Sequence, residues 1–431
     1  MNILILGSGG REHTFAWKIS QSPLCKKLFI APGNGGTSKY GENIYVDINN
    51  FNEIKNLVIA YKIDFVLVGP EDPLVNGIVD YFEQSYELKN VKIFGPNKLG
   101  AQLEGSKTFS QSFMKRHKIP SANFKSFEVD EVDEGIKFLR SSSPPFVLKA
   151  DGLAAGKGVI ISKNLEDAEN SFKNMLVNKQ FGKASDKVLI EEFLSGIEIS
   201  CFIITDGDTY ISLPEAKDYK RIGENDTGLN TGGMGAVSPV NFFDKEFEEK
   251  VENRIIKRTI GGLKKDNIPF KGFLFIGLMN VNGDPYVIEY NVRMGDPETQ
   301  VVIPRIKSDF LDVLLSCIDM DLKNTKINID KKTTSTVILS SKGYPEKYQK
   351  GFKISGLEEI KNSIIFHAGT IEEEKNILSN GGRVIACTGI GENISESLQV
   401  SYELARKIDW DGKYYRKDIG KDLIKKREDE N

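Results

Sequence analysis

Cysteine is scarce in this chain, four residues in 431, and Cys25, Cys201, Cys317 and Cys387 lie far apart with no CxxC pair. Neither a disulfide framework nor a zinc site is expected from that spacing, and the thiols read as reduced. Histidine is scarcer still, with only His13, His117 and His367. No nucleophile-elbow serine or cysteine motif accompanies them. An excess of one charge is also missing. Lys+Arg total 58 against Asp+Glu 61, a formal net charge of −3. A global polyanion binder is therefore not expected, and no nucleic-acid partner, although a local basic site remains open. No run approaches the ~18 apolar residues of a membrane span. Residues 1–7 lack the basic n-region and the length of a signal peptide. The expectation is a soluble, cytoplasmic protein with no membrane partner.

What is present is oily enough for sizeable cores. Apolar residues make up 39% of the chain, with 25 Phe and 14 Tyr. A wholly disordered chain is excluded. At roughly 100–200 residues per domain, the length allows two to four domains.

The first hundred residues alternate short apolar runs (3–6, 28–31, 65–68 and 92–94) with helical stretches at 12–20 and 51–61. Alternation of this kind predicts a parallel sheet with helices on both faces. Ligands of such sheets sit at the carboxyl ends of the strands. Those ends carry Gly7-Ser8-Gly9-Gly10-Arg11-Glu12, Ala31-Pro32-Gly33-Asn34-Gly35-Gly36-Thr37, Gly69-Pro70-Glu71-Asp72 and Gly95-Pro96-Asn97. From about residue 103 the texture changes. A helix at 106–118 is followed by strand-like runs at 146–150, 159–162, 188–193, 199–204 and 270–291. After about 325 come many short β-like runs, and residues 421–431 are charged and expected to fray. No internal repeat is visible.

The first glycine turn falls short of a dinucleotide fingerprint. Glu12 occupies the third glycine position, and the second strand ends in Ala31-Pro32 rather than an acid. An oxidoreductase is disfavoured, while a polar ligand on backbone N–H groups at the helix start remains open. Gly156-Lys157 is not a Walker loop either, because the spacing is one residue short and a β run follows. A glycine loop at 152–158 between two strands can instead fold over phosphates as a lid. Lys149, closing an apolar strand, is costly to bury without an anion. Removing its charge is expected to leave ligand-free stability similar or raised. Around residue 190, a strand ending in Glu191-Glu192-Phe193-Leu194 could present backbone groups to an adenine, with Glu198 near a ribose. Between 287 and 300 strand alternation places Ile288, Tyr290 and Val292 on one face and Glu289, Asn291 and Arg293 on the other. A carboxylate and an amide oxygen on one face suit Mg²⁺, and an arginine beside them can hold a carboxylate or phosphate bidentately. Lys217, Lys220 and Arg221 lead into a second glycine loop at 228–236, suited to an anion.

Together and in this order, these stretches resemble the phosphoribosylamine–glycine ligases (glycinamide ribonucleotide synthetases), ATP-grasp enzymes of purine biosynthesis. The resemblance runs from residue 1 to about 420. Its most specific part is Arg293-Met294-Gly295-Asp296-Pro297-Glu298-Thr299-Gln300, where the family usually has Phe in place of Met294. The 69–77 and 103–107 stretches, the Lys149 loop and Asn230-Thr231-Gly232-Gly233-Met234-Gly235-Ala236 support it. Tyr219 and Leu229 depart from the usual His and Pro.

The resemblance implies an α/β fold in three parts. These are an N-terminal doubly wound parallel-sheet domain (1–102), an ATP-grasp core of two α+β subdomains (103–325, with a lid at about 121–191) and a small β-rich C-terminal domain (326–431). It implies ATP as co-substrate with Mg²⁺ or Mn²⁺ on Glu289 and Asn291. ATP would be bound through Lys107, Lys149, Gly156, Lys157, Glu191, Glu192, Phe193, Leu194 and Glu198. The glycine and 5-phosphoribosylamine side would be lined by Gly9, Asn34, Gly35, Gly36, Thr37, Asp218, Lys220, Arg293 and Asp296, with Arg293 and Lys149 catalytic. The implied reaction passes through glycyl phosphate, which the amine of phosphoribosylamine attacks. Partners would be small molecules only, and the chain would act alone, as a monomer or small homo-oligomer. Another ATP-grasp ligase, or a nucleotide-binding protein without turnover, is the alternative.

Overall fold

Ile3, Leu4, Ile5 and Leu6 are all wholly buried, as expected of a strand with helices on both faces. In the computed structural model, which describes residues 1–154, 156–358 and 360–425, that strand is the centre of a five-stranded parallel sheet. The strands are Asn2–Gly7 (β1), Lys27–Pro32 (β2), Glu42–Asn43 (β3), Phe65–Val68 (β4) and Lys92–Phe94 (β5), in the order β3-β2-β1-β4-β5. The chain winds outward from β1 on one side and then on the other. The resulting switch point lies between β1 and β4, and crevices form at such points beyond the strands' carboxyl ends. The turns at residues 8–10 and 69–72 flank it.

A second layer is a four-stranded antiparallel sheet of Phe124–Phe127 (β6), Phe146–Ala150 (β7), Val159–Ser162 (β8) and Val188–Glu191 (β9), in the order β6-β9-β7-β8. Its helices Val132–Ser141 and Leu165–Leu176 cover one face. Phe127, Phe146, Leu148, Phe172, Met175 and Ile190 form a core separate from the rest. Alternation then turns Lys149 and Glu191 to the opposite face.

The largest sheet is antiparallel. It begins with Ile197–Thr205 (β10), Tyr210–Asp218 (β11), the small ribbon Arg221–Gly223 (β12) and Thr227–Asn230 (β13), which pair only with each other, and Gly235–Ser238 (β14). Gly272–Val281 (β15), Asp284–Asn291 (β16), Thr333–Ser341 (β17), Ser363–His367 (β18), the hairpin Thr370–Glu373 (β19) and Asn376–Ser379 (β20), and Arg383–Gly391 (β21) follow. Its order is β16-β15-β10-β11-β14-β17-β21-β18. Pairing of β14 with β17 carries hydrogen bonds across residue 325. Ala155 of the 152–158 loop, Glu359, and residues 426–431 of the charged C-terminal run lie outside the described residues. The start of that run, Lys421–Lys425, is a short helix rather than a frayed end, because Leu423 is buried and anchors it.

Candidate active site

Strand β16 carries the expected polar face, with one change in register. Gly277 pairs with Glu289 but Leu278 pairs with Val287, so Ile288 is a bulge. The extra residue reverses the alternation. Val287, Tyr290 and Val292 enter the core, and Ile288 does not join them as simple alternation expected. Its carbonyl instead accepts a hydrogen bond from Lys149 Nζ at 3.1 Å, linking the four-stranded sheet to β16.

Glu289 and Asn291 keep their shared face. Glu289, half-buried, makes no hydrogen bond or ion pair with any described residue. Burial alone would raise its pKa, but the charges of Lys220, Lys149, Lys107 and Arg293 outweigh it and hold the carboxylate below its ordinary range. Asn291 is buried; its Oδ1 accepts from Arg293 at 2.9 Å and its Nδ2 has no partner among the described residues. The unpaired carboxylate and the Asn291 Oδ1, which keeps a second lone pair beyond the Arg293 bond, are hard oxygens on one face, the donor type that a Mg²⁺-like cation takes. Among the described residues no cluster of three or more His, Cys, Asp or Glu side chains could hold a metal alone.

Arg293 is occupied by protein carboxylates. Its Nε lies 3.2 Å from Glu71 and its Nη2 lies 2.8 Å from Glu104. Glu104 also accepts the Val292 N–H at 2.8 Å. Burial raises Glu104 to about 7, with Arg293 opposing and Glu71 adding to the rise. Arg293 thus ties the β4 turn, the 102–105 helical turn and β16 together.

Lys149 is also paired. It is buried and lies 2.7 Å from the equally buried Glu191, which in turn accepts from Gln111 Nε2 at 3.0 Å. The anion that the lysine requires is supplied by its own sheet. Burial pulls the pKa of Lys107 down, partly countered by Glu289, and among the described residues its Nζ reaches only the Gly152 carbonyl, at 3.3 Å. Asp151 receives Ser106 Oγ and the Thr108 N–H (2.6 Å), joining the helix Lys107–Arg116 to the glycine loop. Between β7 and β8 that loop exposes Gly156 and Lys157, and Gly156 has φ +74°, a left-handed conformation that glycine adopts without strain. Beyond β9 the Glu192 N–H is taken by Asn123 O at 2.9 Å, and Phe193 is partly exposed.

Across the cleft, Lys220 pairs with Glu198 at 2.8 Å. Burial opposes its charge, yet Glu198, Asp218 and Glu289 raise its pKa well above normal. Asp218 and Glu298 are both buried carboxyls. Burial and the charge of Asp218 push Glu298 to about 8, and its hydrogen-bonding contact is Ser200 Oγ at 3.4 Å. Burial raises the pKa of Asp218 as well, with the charge of Lys220 opposing.

The N-terminal turns are bound by protein groups. Glu12 Oε2 takes the Gly9 N–H at 2.7 Å, and Asp296 Oδ2 takes that of Arg11 at 3.4 Å. A Cβ on Gly9 would stand 2.9 Å from both carboxylates, so only glycine fits. Asn34 Nδ2 donates to Ser8 O and His367 O, both at 2.9 Å, and Asn34 Oδ1 accepts from Gly36 and Thr37. Gly35 N–H goes to Thr370. With the Asn34 N–H on Thr37 Oγ1 at 2.8 Å, the four backbone donors of residues 34–37 are answered within the protein, and the loop fastens β2 to the C-terminal sheet. Burial would raise Asp296, but Arg383 and Arg11 hold it below its ordinary range.

The structure brings most of the expected residues together in two groups and leaves Gly156, Lys157, Glu192 and Phe193 exposed and Leu194 half-buried outside both. Lys107, Lys149, Glu191, Glu198, Asp218, Lys220, Glu289, Asn291 and Arg293 converge on one cleft. Gly9, Asn34, Gly35, Gly36, Thr37 and Asp296 gather at the junction of the parallel sheet with the C-terminal hairpin. Sequence reading overlooked Glu71, Glu104, Gln111, Glu298 and Arg383 as site residues. Glu71, Glu104 and Glu298 stand inside motifs that had been noticed; Gln111 and Arg383 carry no local signal.

A three-part chain with a small sheet facing a larger antiparallel one, and a cleft of paired charges between them, has the ATP-grasp architecture. The profile described as phosphoribosylglycinamide synthetase, ATP-grasp (A) domain, matches residues 105–299; the N-domain and C-domain profiles match 1–104 and 334–422. Phosphoribosylamine–glycine ligase of Haemophilus influenzae is 44% identical over 425 residues, 97% of this chain and 98% of that protein. The ligase of Fusobacterium nucleatum is 45% identical over 424 residues, again 97% and 98%. A crystal structure of the Thermotoga maritima ligase superposes with TM-score 0.83 at 34% identity, covering 97% of this chain and all of that one. The chain belongs to the phosphoribosylglycinamide synthetase family, a family of ATP-grasp ligases.

Proposed function

We propose that this chain joins glycine to 5-phosphoribosylamine at the expense of ATP, giving glycinamide ribonucleotide, ADP and phosphate by way of glycyl phosphate. The observation that carries the reading is Glu289: a carboxylate with no hydrogen-bond or ion-pair partner among the described residues, under the charge of Lys107, Lys149, Lys220 and Arg293. A nucleoside triphosphate with its divalent cation would meet both, the phosphates the four cations and the metal ion the carboxylate. Glu289 and Asn291 would hold Mg²⁺ or Mn²⁺, with phosphate oxygens and water completing the shell. When bound, the cation neutralises phosphate charge.

The chain's own residues do the rest. Lys107 and Lys157 meet the phosphates, with Gly156 giving the loop its turn. Lys149, anchored by Glu191, holds positive charge at the cleft wall. Residues 191–194 present backbone to the adenine and Glu198 faces the ribose. Asp218, Lys220 and Arg293 line the amide-forming side, where an ionised Asp218 would take the proton that the attacking amine loses as the C–N bond forms and phosphate departs with the electrons of the acyl–oxygen bond. Gly9, Asp296 and the 34–37 loop shape the phosphoribosylamine end. Phosphoryl transfer of this kind needs positioning and charge neutralisation, not a covalent side chain. We further assign parts 1–102, 103–325 and 326–431, with the lid at about 121–191, to substrate side, nucleotide grasp and closure. A monomer or small homo-oligomer in the cytoplasm suits three small-molecule substrates; no helix among the described residues is long and apolar enough to cross a membrane. The test is phosphate release from ATP with glycine and freshly made phosphoribosylamine. Release that requires both supports the reading; release with either alone, or with neither, overturns it.

A further inference from the structure

Strand β11 places Asp218 on the cleft face, and Lys220 follows on the same side. Lys217 and Tyr219 alternate to the far side. There both reach one residue, Asp422, on the short helix Lys421–Lys425. Tyr219 Oη donates to Asp422 Oδ1 at 2.6 Å, and Lys217 Nζ pairs with Asp422 Oδ2. Tyr219 is 3% exposed, and the Arg416 guanidinium lies 5.4 Å from the centre of its ring. Arg416 is itself buried and grips Asp418 by two bonds (2.9 and 2.7 Å), Asp226 (2.7 Å) and the Arg221 carbonyl (3.0 Å). Asp418 also accepts the Asn225 N–H at 2.8 Å, and Tyr414 Oη donates to Ile222 O at 2.8 Å. Residues 414–422 therefore clasp the 217–226 stretch from behind through these seven contacts, while its front carries the charged groups of the cleft.

We infer that this C-terminal clasp sets the position of Asp218 and Lys220, and that Tyr219 and Asp422 are positioning residues for the acceptor side of the reaction. The inference rests on the reading that Asp218 and Lys220 serve that side. The backbone at Tyr219 is held within the plane of the sheet by the start of β14, through Tyr219 N–H to Gly235 O (3.0 Å) and Met234 N–H to Tyr219 O (2.8 Å), and the side-chain contact with Asp422 adds an anchor out of that plane. A shift of under an ångström at reacting groups is enough to lower turnover or affinity.

The test compares steady-state kinetics of Tyr219→Phe, Asp422→Asn and Asp422→Ala in the full chain. Tyr219→Phe deletes one hydroxyl and keeps the packed ring, and Lys217→Met is an independent probe of the same contact should a variant fold poorly. Expected is a rise of about fivefold or more in KM for glycine or phosphoribosylamine with Tyr219→Phe and Asp422→Ala. The ATP KM should change less than twofold, and Asp422→Asn, which keeps an acceptor, should lie between. The Tyr219→Phe/Asp422→Ala double variant should be no worse than the poorer single, because both remove one contact. Unchanged acceptor-side KM values with only a lower melting temperature, equal changes for ATP, or additive losses would overturn the inference. Asp218→Asn serves as the separating arm. If it too leaves the acceptor side untouched, the site reading fails; if it cripples the acceptor side while the clasp variants do not, the clasp alone fails.

Discussion

Lys149→Met tests the cleft wall most directly. Lys149 and Glu191 are each 6% exposed and 2.7 Å apart. At an effective dielectric near 20 their attraction is about 6 kcal/mol. Methionine fills the lysine stem but leaves Glu191 buried with only the Gln111 bond. Relief of the lysine's own desolvation offsets part of the loss, and breaking one side of a buried pair typically costs about 3–5 kcal/mol. At about 2–4 °C per kcal/mol for a unit of 150–250 residues, the ligand-free melting temperature should fall by roughly 6–20 °C. This reverses the expectation from sequence that stability would hold or rise, because the anion compensating the lysine is inside the protein. Scanning calorimetry or fluorimetry at pH 7.5 would show the gap. Lys149→Met/Glu191→Gln should recover most of the loss. A melting temperature for Lys149→Met equal to wild type at pH 7.5, or a loss untouched by the second substitution, would refute the buried pair as the cause.

Glu289→Ala should retain the fold and lower turnover with Mg-ATP by several kcal/mol at the transition state, at least about a hundredfold; activity within a few-fold of wild type would remove Glu289 from the metal site. Glu298, raised to about 8 by burial and Asp218, keeps its proton when folded and loses it when unfolded. Folding stability should therefore fall as pH rises from about 4.3 towards 8, by up to about 1.4 kcal/mol per unit, and urea titrations of Glu298→Gln should show a flatter slope there. The 152–158 loop exposes Gly156 and Lys157, and hydrogen exchange of the loop amides at 153, 154, 156 and 158 should be fast in the free enzyme and slow once Mg-ATP binds. Gly156→Pro, forcing φ from +74° to about −65°, should slow turnover and raise the fraction of ATP hydrolysed without amide product; amides already protected without nucleotide would refute the lid.

Much of the molecule could be read along the chain because the signals are local. Four apolar runs between glycine turns became β1, β2, β4 and β5 of the parallel sheet, since the period of side-chain burial is written in neighbouring residues. The polar face of Glu289, Asn291 and Arg293 was legible for the same reason. Partner choice was not. Lys149 reads as an isolated charge until β9 is laid beside β7 and brings Glu191 to it. Arg293 reads as a free fork until the β4 turn and the 102–105 turn deliver Glu71 and Glu104 from about 190–220 residues away. The bulge at Ile288 depends on the register with β15, which no pattern within β16 encodes. The grip of residues 414–422 on the back of β11 joins segments about 200 residues apart. Backbone periodicity belongs to a few consecutive residues, and so the sequence alone determined the elements and their polar faces. Electrostatic pairing acts through space over a few ångströms, and so only the tertiary structure decided which charges are left free to meet a ligand.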